Sequence, residues 1–206
     1  MPAYRKPSER FLTVDECKKL LAAASNERDL MIVMLLTCCA LRPSELFALR
    51  VDDVLPGMLR IDEAVVLGNV GDTKTEDSSA IIPMPPPLEA ALGNYIRTSG
   101  VTDLLFPSAA GTPMSHEYYL TRILKPLGAA AGIKGLNHQI LRRTAATHFQ
   151  KHGGPKDAQG FMRHANAQTT LDNYMKILDS RVASAVSGLF NELIGDAANP
   201  ARKLVN

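Results

Sequence analysis

Asn137-His138-Gln139-Ile140-Leu141-Arg142-Arg143-Thr144-Ala145-Ala146-Thr147-His148 reads as the start and body of one helix. Asn137 is a good N-cap, because its side-chain oxygen can take an amide that the first turn leaves unpaired. The predicted helix runs over 139–151 and stops at Gly153-Gly154. Free amides and the positive end of the helix dipole lie at its start, so Arg142 stands where an anion is favoured. An exposed basic helix would explain this stretch equally well. The rest of the chain decides between the two.

Downstream, Pro155 opens a short helix to Met162. It leads into Phe161-Met162-Arg163-His164-Ala165-Asn166-Ala167-Gln168-Thr169-Thr170-Leu171-Asp172-Asn173-Tyr174. Tyr174 sits on a further predicted helix. Val182, Val186, Leu189 and Leu193 then repeat at helical spacing over 181–194, and a frayed tail follows from Gly195. That last helix has two readings: it packs on its own domain, or it docks on a neighbouring protomer.

Upstream, Thr13-Val14-Asp15-Glu16 is a capping box, followed by Leu20, Leu21 and Ala24 on a helical face. An apolar helix spans 28–39. Ala40-Leu41-Arg42-Pro43-Ser44-Glu45-Leu46 places Arg42 at a helix junction, with Pro43 suited to the first turn of the next helix and Glu45 one turn on. Glu45 can fix the guanidinium by a charge-assisted bond. Leu59, Ile61, Ala64, Val65 and Val66 predict a strand, and 79–84 predicts another, ended by Pro83 and Pro85-Pro86-Pro87. Lys74 lies near a hairpin between them; a lysine at a turn is by itself usually just solvated. Helix returns over 88–96 and from the Ser115 cap to near Gly132.

With 206 residues, 46% of them hydrophobic, the chain suits one domain with a true core. No apolar run reaches the length of a membrane span, and the N-terminus does not read as a signal peptide. Cys17, Cys38 and Cys39 form neither a disulfide framework nor a zinc spacing, which fits a reducing, cytoplasmic setting. A net charge of +2 predicts no partner. A nucleic-acid surface would have to come from local clustering, as at Lys134, Arg142, Arg143, Lys151, Lys156 and Arg163.

Taken in order, Leu-Arg-Pro-Ser-Glu-Leu, a hairpin lysine, Leu-Arg-Arg-Thr-Ala-Ala-Thr-His and His-x9-Tyr closely resemble the tyrosine recombinases of the phage integrase type, over about 12–177. The resemblance implies a mainly α (α+β) fold: a helical catalytic core with a small three-stranded antiparallel sheet. It implies a nucleophile at Tyr174 and two arginines, Arg42 and Arg142, that clamp the scissile phosphate. Lys74 would protonate the leaving 5′-oxygen, His164 would hydrogen-bond the phosphate, and Glu45 would support Arg42. Arg143, Arg163 and Lys151 are candidate DNA contacts. The implied partner is double-stranded DNA, bound by a tetramer that is monomeric or weakly associated alone. No cofactor, no metal and no membrane enter.

The chemistry suits those residues. Two planar guanidiniums give bidentate donors to phosphate oxygens whose charge spreads in the transition state. Tyrosine is a weak nucleophile at neutral pH, its free pKa being about 10, and nearby cations favour the phenolate.

Three features depart from the family pattern. The family's His-x-x-Arg box places Gln139 at the histidine position, with His138 one residue early and so rotated by about 100° on a helix. Gln139 can bind phosphate but cannot act as a base, so activity is slowed or lost if a base is needed there. Arg163 stands where the family often has glycine, adding a DNA contact or altering the loop. The pattern also begins near residue 12, so residues 1–206 read as a single catalytic domain, with a flexible lead-in over 1–11, a C-terminal helix and tail over 180–206, and the family's N-terminal core-binding domain absent from this chain, which reads as a fragment of a longer protein or a natural minimal form. The competing functions are a type IB topoisomerase, a catalytically silent DNA-binding domain of the same fold, and a purely structural helical domain.

Overall fold

A computed structural model describes residues 10–66, 68–72, 80–163 and 180–195. Its first helix, α1 (Val14–Ala23), starts at the expected capping box. The Thr13 amide donates to Glu16 Oε2 at 2.9 Å, and the Glu16 amide donates to Thr13 Oγ1 at 3.2 Å. The apolar helix α2 (Glu27–Cys38) starts one residue before the expected span, capped by Asn26, and is buried on every side between Met31 and Cys38. A helix apolar all round has to lie inside the molecule. It does so, against α1, against α4 (Pro86–Ser99) and against α7 (His138–Phe149).

The short α3 (Pro43–Leu46) follows, opened by its proline as expected. A 3₁₀ turn (Val51–Asp53) then leads into the sheet region. Strands β1 (Val54–Leu55), β2 (Met58–Ile61) and β5 (Ala80–Pro83) form the expected small three-stranded antiparallel sheet, with β2 in the middle and Leu59 opposite Ile82. The single strand expected over Leu59–Val66 is two. Beyond Ile61 the chain leaves this sheet, and β3 (Glu63–Val66) pairs instead with β4 (Asn69–Asp72) as a separate hairpin. Gly68, at φ +83°, lies in that hairpin's turn, where a side chain would be strained. Burial explains the split: β2 alternates between the core and its rim, whereas β3 has no fully buried residue.

The helical segment after Ser115 is interrupted. It consists of α5 (His116–Tyr119), a π-helical turn (Leu120–Leu124) and α6 (Lys125–Ala130). Pro126 has no amide to donate, which loosens the hydrogen-bond ladder there. Helix α7 starts where its cap predicts, with Asn137 Oδ1 accepting from the Ile140 amide at 2.9 Å. Helix α8 (Pro155–Phe161) joins it through stacked Phe149 and Phe161 rings, 4.3 Å apart.

The last described helix, α9 (Ser180–Leu193), buries Ala185, Val186, Leu189, Phe190 and Leu193 against α1, α2, α7 and β5 of its own chain. Glu192 fastens it by accepting from Lys151 Nζ at 2.6 Å and lying against His148 Nδ1 at 2.9 Å and His152 Nε2 at 2.7 Å. The other ring nitrogen of His148 meets the Leu12 carbonyl at 2.9 Å, so one imidazole links α9, α7 and the chain entry. The three cysteines are free and buried. Among the described residues no helix is long and apolar enough to cross a membrane.

Candidate active site

The α2–α3 junction creates the first half of the site. Ala40 takes a left-handed backbone, φ +48°, directly after the buried α2. A non-glycine residue accepts that conformation only against a cost of about 1–2 kcal/mol. Two residues on, Arg42 caps α3. Its amide donates to Glu45 Oε2 at 2.7 Å and its Nη1 to Glu45 Oε1 at 2.6 Å. Glu45 therefore grips both the backbone and the guanidinium of the same residue, as the one-turn spacing predicts. The Arg42 side chain keeps 44% of its surface exposed, whereas Glu45 keeps 6%.

Arg142 supplies the second half, from the second turn of α7. Its Nη1 donates to the Ala40 carbonyl and its Nη2 to the Met162 carbonyl. Arg42 Nη2 donates to the next carbonyl, that of Arg163, at 3.1 Å. The two guanidiniums, 100 residues apart in the chain, are thus brought to adjacent carbonyls at the end of α8.

Arg163 is folded into this cluster. Its Nη2 donates to Glu45 Oε2 at 2.7 Å and to the Ala40 carbonyl at 3.0 Å. Its Nη1 reaches the Cys39 carbonyl at 3.3 Å and the Phe161 carbonyl at 3.4 Å. The side chain is only 8% exposed, directed at the protein rather than at solvent. Three guanidiniums gather around one carboxylate, two of them bonded to it, so the cluster carries a net positive charge.

The electrostatics follow from that arrangement. Burial works to raise the Glu45 carboxyl, but the Arg163 charge and the hydrogen bonds from Arg42 outweigh it and hold the group below the usual carboxylate range. Burial, then repulsion from Arg163 and Arg42, pulls Arg142 down to about 10, with Glu45 acting the other way. Arg142 is still charged at neutral pH.

Gln139 lies in the first turn of α7 with its side chain exposed. His138, its neighbour, is buried and faces elsewhere. Its ring stacks on Tyr119, 6.3 Å away, and meets His116 edge-on at 6.5 Å. Burial, then the nearby His116, pushes His138 down to about 4. It is a neutral core histidine, turned away from the exposed Gln139 side chain. Lys151 is exposed but paired with Glu192, and Arg143 is half-buried on α7. Lys74, His164 and Tyr174 lie outside the described residues.

The main-chain carbonyls of Ala40, Met162 and Arg163, which hold the two arginines, gave no signal in the sequence, because any residue type carries one. Arg163 departs from the family pattern, but nothing local in the sequence indicates which way its side chain points.

Comparison with known proteins agrees with the fold and the motifs. A family model described as the phage integrase family matches residues 10–181. A tyrosine recombinase of Pseudothermotoga lettingae is 33% identical over 196 residues, covering 93% of this chain and 64% of the relative. This chain therefore spans just under two thirds of that relative's length. The crystal structure of XerA recombinase superposes with a TM-score of 0.65 at 25% identity, over 88% of this chain and 64% of that one. The Tn1549 transposon integrase, solved in complex with transposon right end DNA, shares the fold with a TM-score of 0.64 at 20% identity, over 89% of this chain and 69% of its own. Every residue of the arginine cluster falls within the matched span, and the chain belongs to the phage integrase family, corresponding to the catalytic domain of the tyrosine recombinases.

Proposed function

We propose that this domain cuts and rejoins DNA strands in site-specific recombination through a 3′-phosphotyrosyl intermediate. The observation that carries this reading is the convergence of Arg42 and Arg142 on neighbouring carbonyls, braced by Glu45. Such a pair offers fixed donors to the non-bridging oxygens of one phosphodiester and gains strength as their charge grows in the transition state. Gln139, at the start of α7, adds a neutral donor.

The remaining roles rest on the family pattern. The phenol oxygen of Tyr174 attacks phosphorus and gives up its proton. The 5′-oxygen leaves and takes a proton from Lys74, while His164 holds the phosphate. The phosphotyrosine keeps the energy of the broken bond, and a 5′-hydroxyl of another strand reverses the step. The scheme uses neither nucleotide nor metal. Double-stranded DNA is the partner, with Arg143 and Lys151 as backbone contacts, in a tetramer assembled on DNA in a reducing, cytoplasmic setting.

Trapping tests the proposal. The protein is incubated with a nicked suicide duplex whose site has been selected by binding from random DNA, and adducts are resolved on denaturing gels. A covalent adduct that disappears in Tyr174→Phe is expected. A salt-sensitive mobility shift without any adduct overturns the enzymatic reading and leaves a DNA-binding domain.

A further inference from the structure

Arg163 occupies an unusual conformation for its residue type. Its φ of +50° lies in the left-handed region, where glycine is at ease and an arginine is strained by about 1–2 kcal/mol. A strained residue persists only where its surroundings hold it. Here they hold it firmly, through the four side-chain contacts to Cys39, Ala40, Glu45 and Phe161. Its own amide also donates to the Gly160 carbonyl at 3.0 Å. Of its three guanidinium nitrogens, only Nε has no partner among the described residues.

These contacts touch both arginines of the site. Glu45 Oε2 receives Arg163 while Oε1 receives Arg42. The Arg163 carbonyl receives Arg42 Nη2. The Ala40 carbonyl is shared between Arg142 and Arg163. Arg163 is therefore linked to Arg42 by two contacts and to Arg142 by one, and so connects the two guanidiniums.

We propose that Arg163 is a positioning residue that fixes the two phosphate-clamping guanidiniums relative to each other through Glu45, the Ala40 carbonyl and its own carbonyl. It spends its charge on this brace rather than on DNA. Its buried guanidinium replaces the flexibility of a glycine with a rigid connection between α8 and the α2–α3 junction. The inference rests on the strand-cleaving reading above, since it gives the clamp its purpose.

The test combines a rate with a structural readout in the wild type and in Arg163→Met, Arg163→Lys and Arg163→Gly. Cleavage of the nicked suicide duplex is followed under single-turnover conditions at saturating protein, its Kd is measured separately, and guanidinium rotation of Arg42 and Arg142 is followed by ¹⁵N NMR. Arg163→Met is expected to slow saturated cleavage by about 10–100-fold, the usual cost of losing a supporting contact. Its Kd should change by less than about threefold, because no DNA contact is lost. Rotation of both guanidiniums should accelerate, and Arg163→Lys should recover part of the rate. Arg163→Gly removes the backbone strain, so it should melt no lower than Arg163→Met yet cleave as slowly; this separates positioning from folding. Unchanged rates and unchanged rotation in the Met and Gly variants overturn the proposal. So does a weakened Kd with a normal saturated rate, which would make Arg163 a DNA contact. A wild type that forms no adduct would defeat the functional reading, while the rotation measurements would still decide the role of Arg163.

Discussion

Removing Glu45 tests the architecture of the arginine cluster most directly. Glu45 makes one bond to a half-exposed guanidinium, one to a guanidinium 8% exposed, and one to the Arg42 amide. The pair with Arg42 is partly screened by solvent and contributes about 0–1 kcal/mol. Losing the carboxylate opposite Arg163 strands a buried charge, which costs about 3–5 kcal/mol. Losing the bond to the Arg42 amide at the start of α3 adds about 0.5–1 kcal/mol. Glu45→Ala should therefore destabilise the domain by about 3.5–7 kcal/mol, a large part of the 5–15 kcal/mol typical of a domain. With a urea slope of about 2 kcal/mol/M, the midpoint should fall by about 2–3.5 M. Glu45→Gln, which keeps one acceptor oxygen, should lose about half as much. In combination with Arg163→Met the loss should be smaller than the sum of the two single losses by at least about 1 kcal/mol, because the stranded charge is gone. Urea unfolding followed by circular dichroism measures wild type, the three single variants and the double variant. A Glu45→Ala midpoint within about 0.5 M of wild type, or strict additivity in the cycle, would show that Glu45 does not neutralise Arg163.

Other consequences are open to measurement. Burial tends to raise the Glu192 carboxyl, but hydrogen bonds from Lys151, His148 and His152 pull it down to about 2. A folded-state pKa below the unfolded value of 4.5 means that its contribution is complete above about pH 4.5 and drains away as pH falls toward 2. The stability gap between wild type and Glu192→Gln should thus be constant near neutrality, on the order of 1–2 kcal/mol, and close on acidification; a gap that widens in acid would contradict the assignment. Leu189→Ala in α9 should cost about 2–5 kcal/mol in denaturant titration, since its side chain is fully buried; a loss below 1 kcal/mol would mean that α9 is not seated on its own chain in solution. Arg142→Ala should slow adduct formation by about 10²–10³-fold or more, and a normal rate would remove Arg142 from the clamp. Gln139→His, at an exposed position in the first turn of α7, should be tolerated and cleave at least as fast as wild type in the suicide assay; total loss of DNA binding would contradict the contact assigned to Gln139.

What could be read from the chain alone was whatever is decided within a few residues. The caps at Thr13, Ser115 and Asn137 fall where they were expected, because a cap is a bond between residues three apart. The pairing of Arg42 with Glu45 is of the same kind. The apolar run of α2 announced its own burial, and the motif order announced the family. Pairing partners were less legible. The residues from Leu59 to Val66 have one strand-like texture, and only the competition between β5 and β4 for partners divides them into two sheets.

The site itself depended on the tertiary structure. Arg142 reaches Ala40 across 102 residues and Arg163 reaches Glu45 across 118. No periodicity or spacing encodes contacts of that length, because they exist only once α2, α7 and α8 are packed together. The inward turn of Arg163 and the seating of Glu192 between Lys151, His148 and His152 are decided in the same way. A charged side chain takes whichever partner the folded backbone brings within reach, and burial then makes that choice costly to reverse.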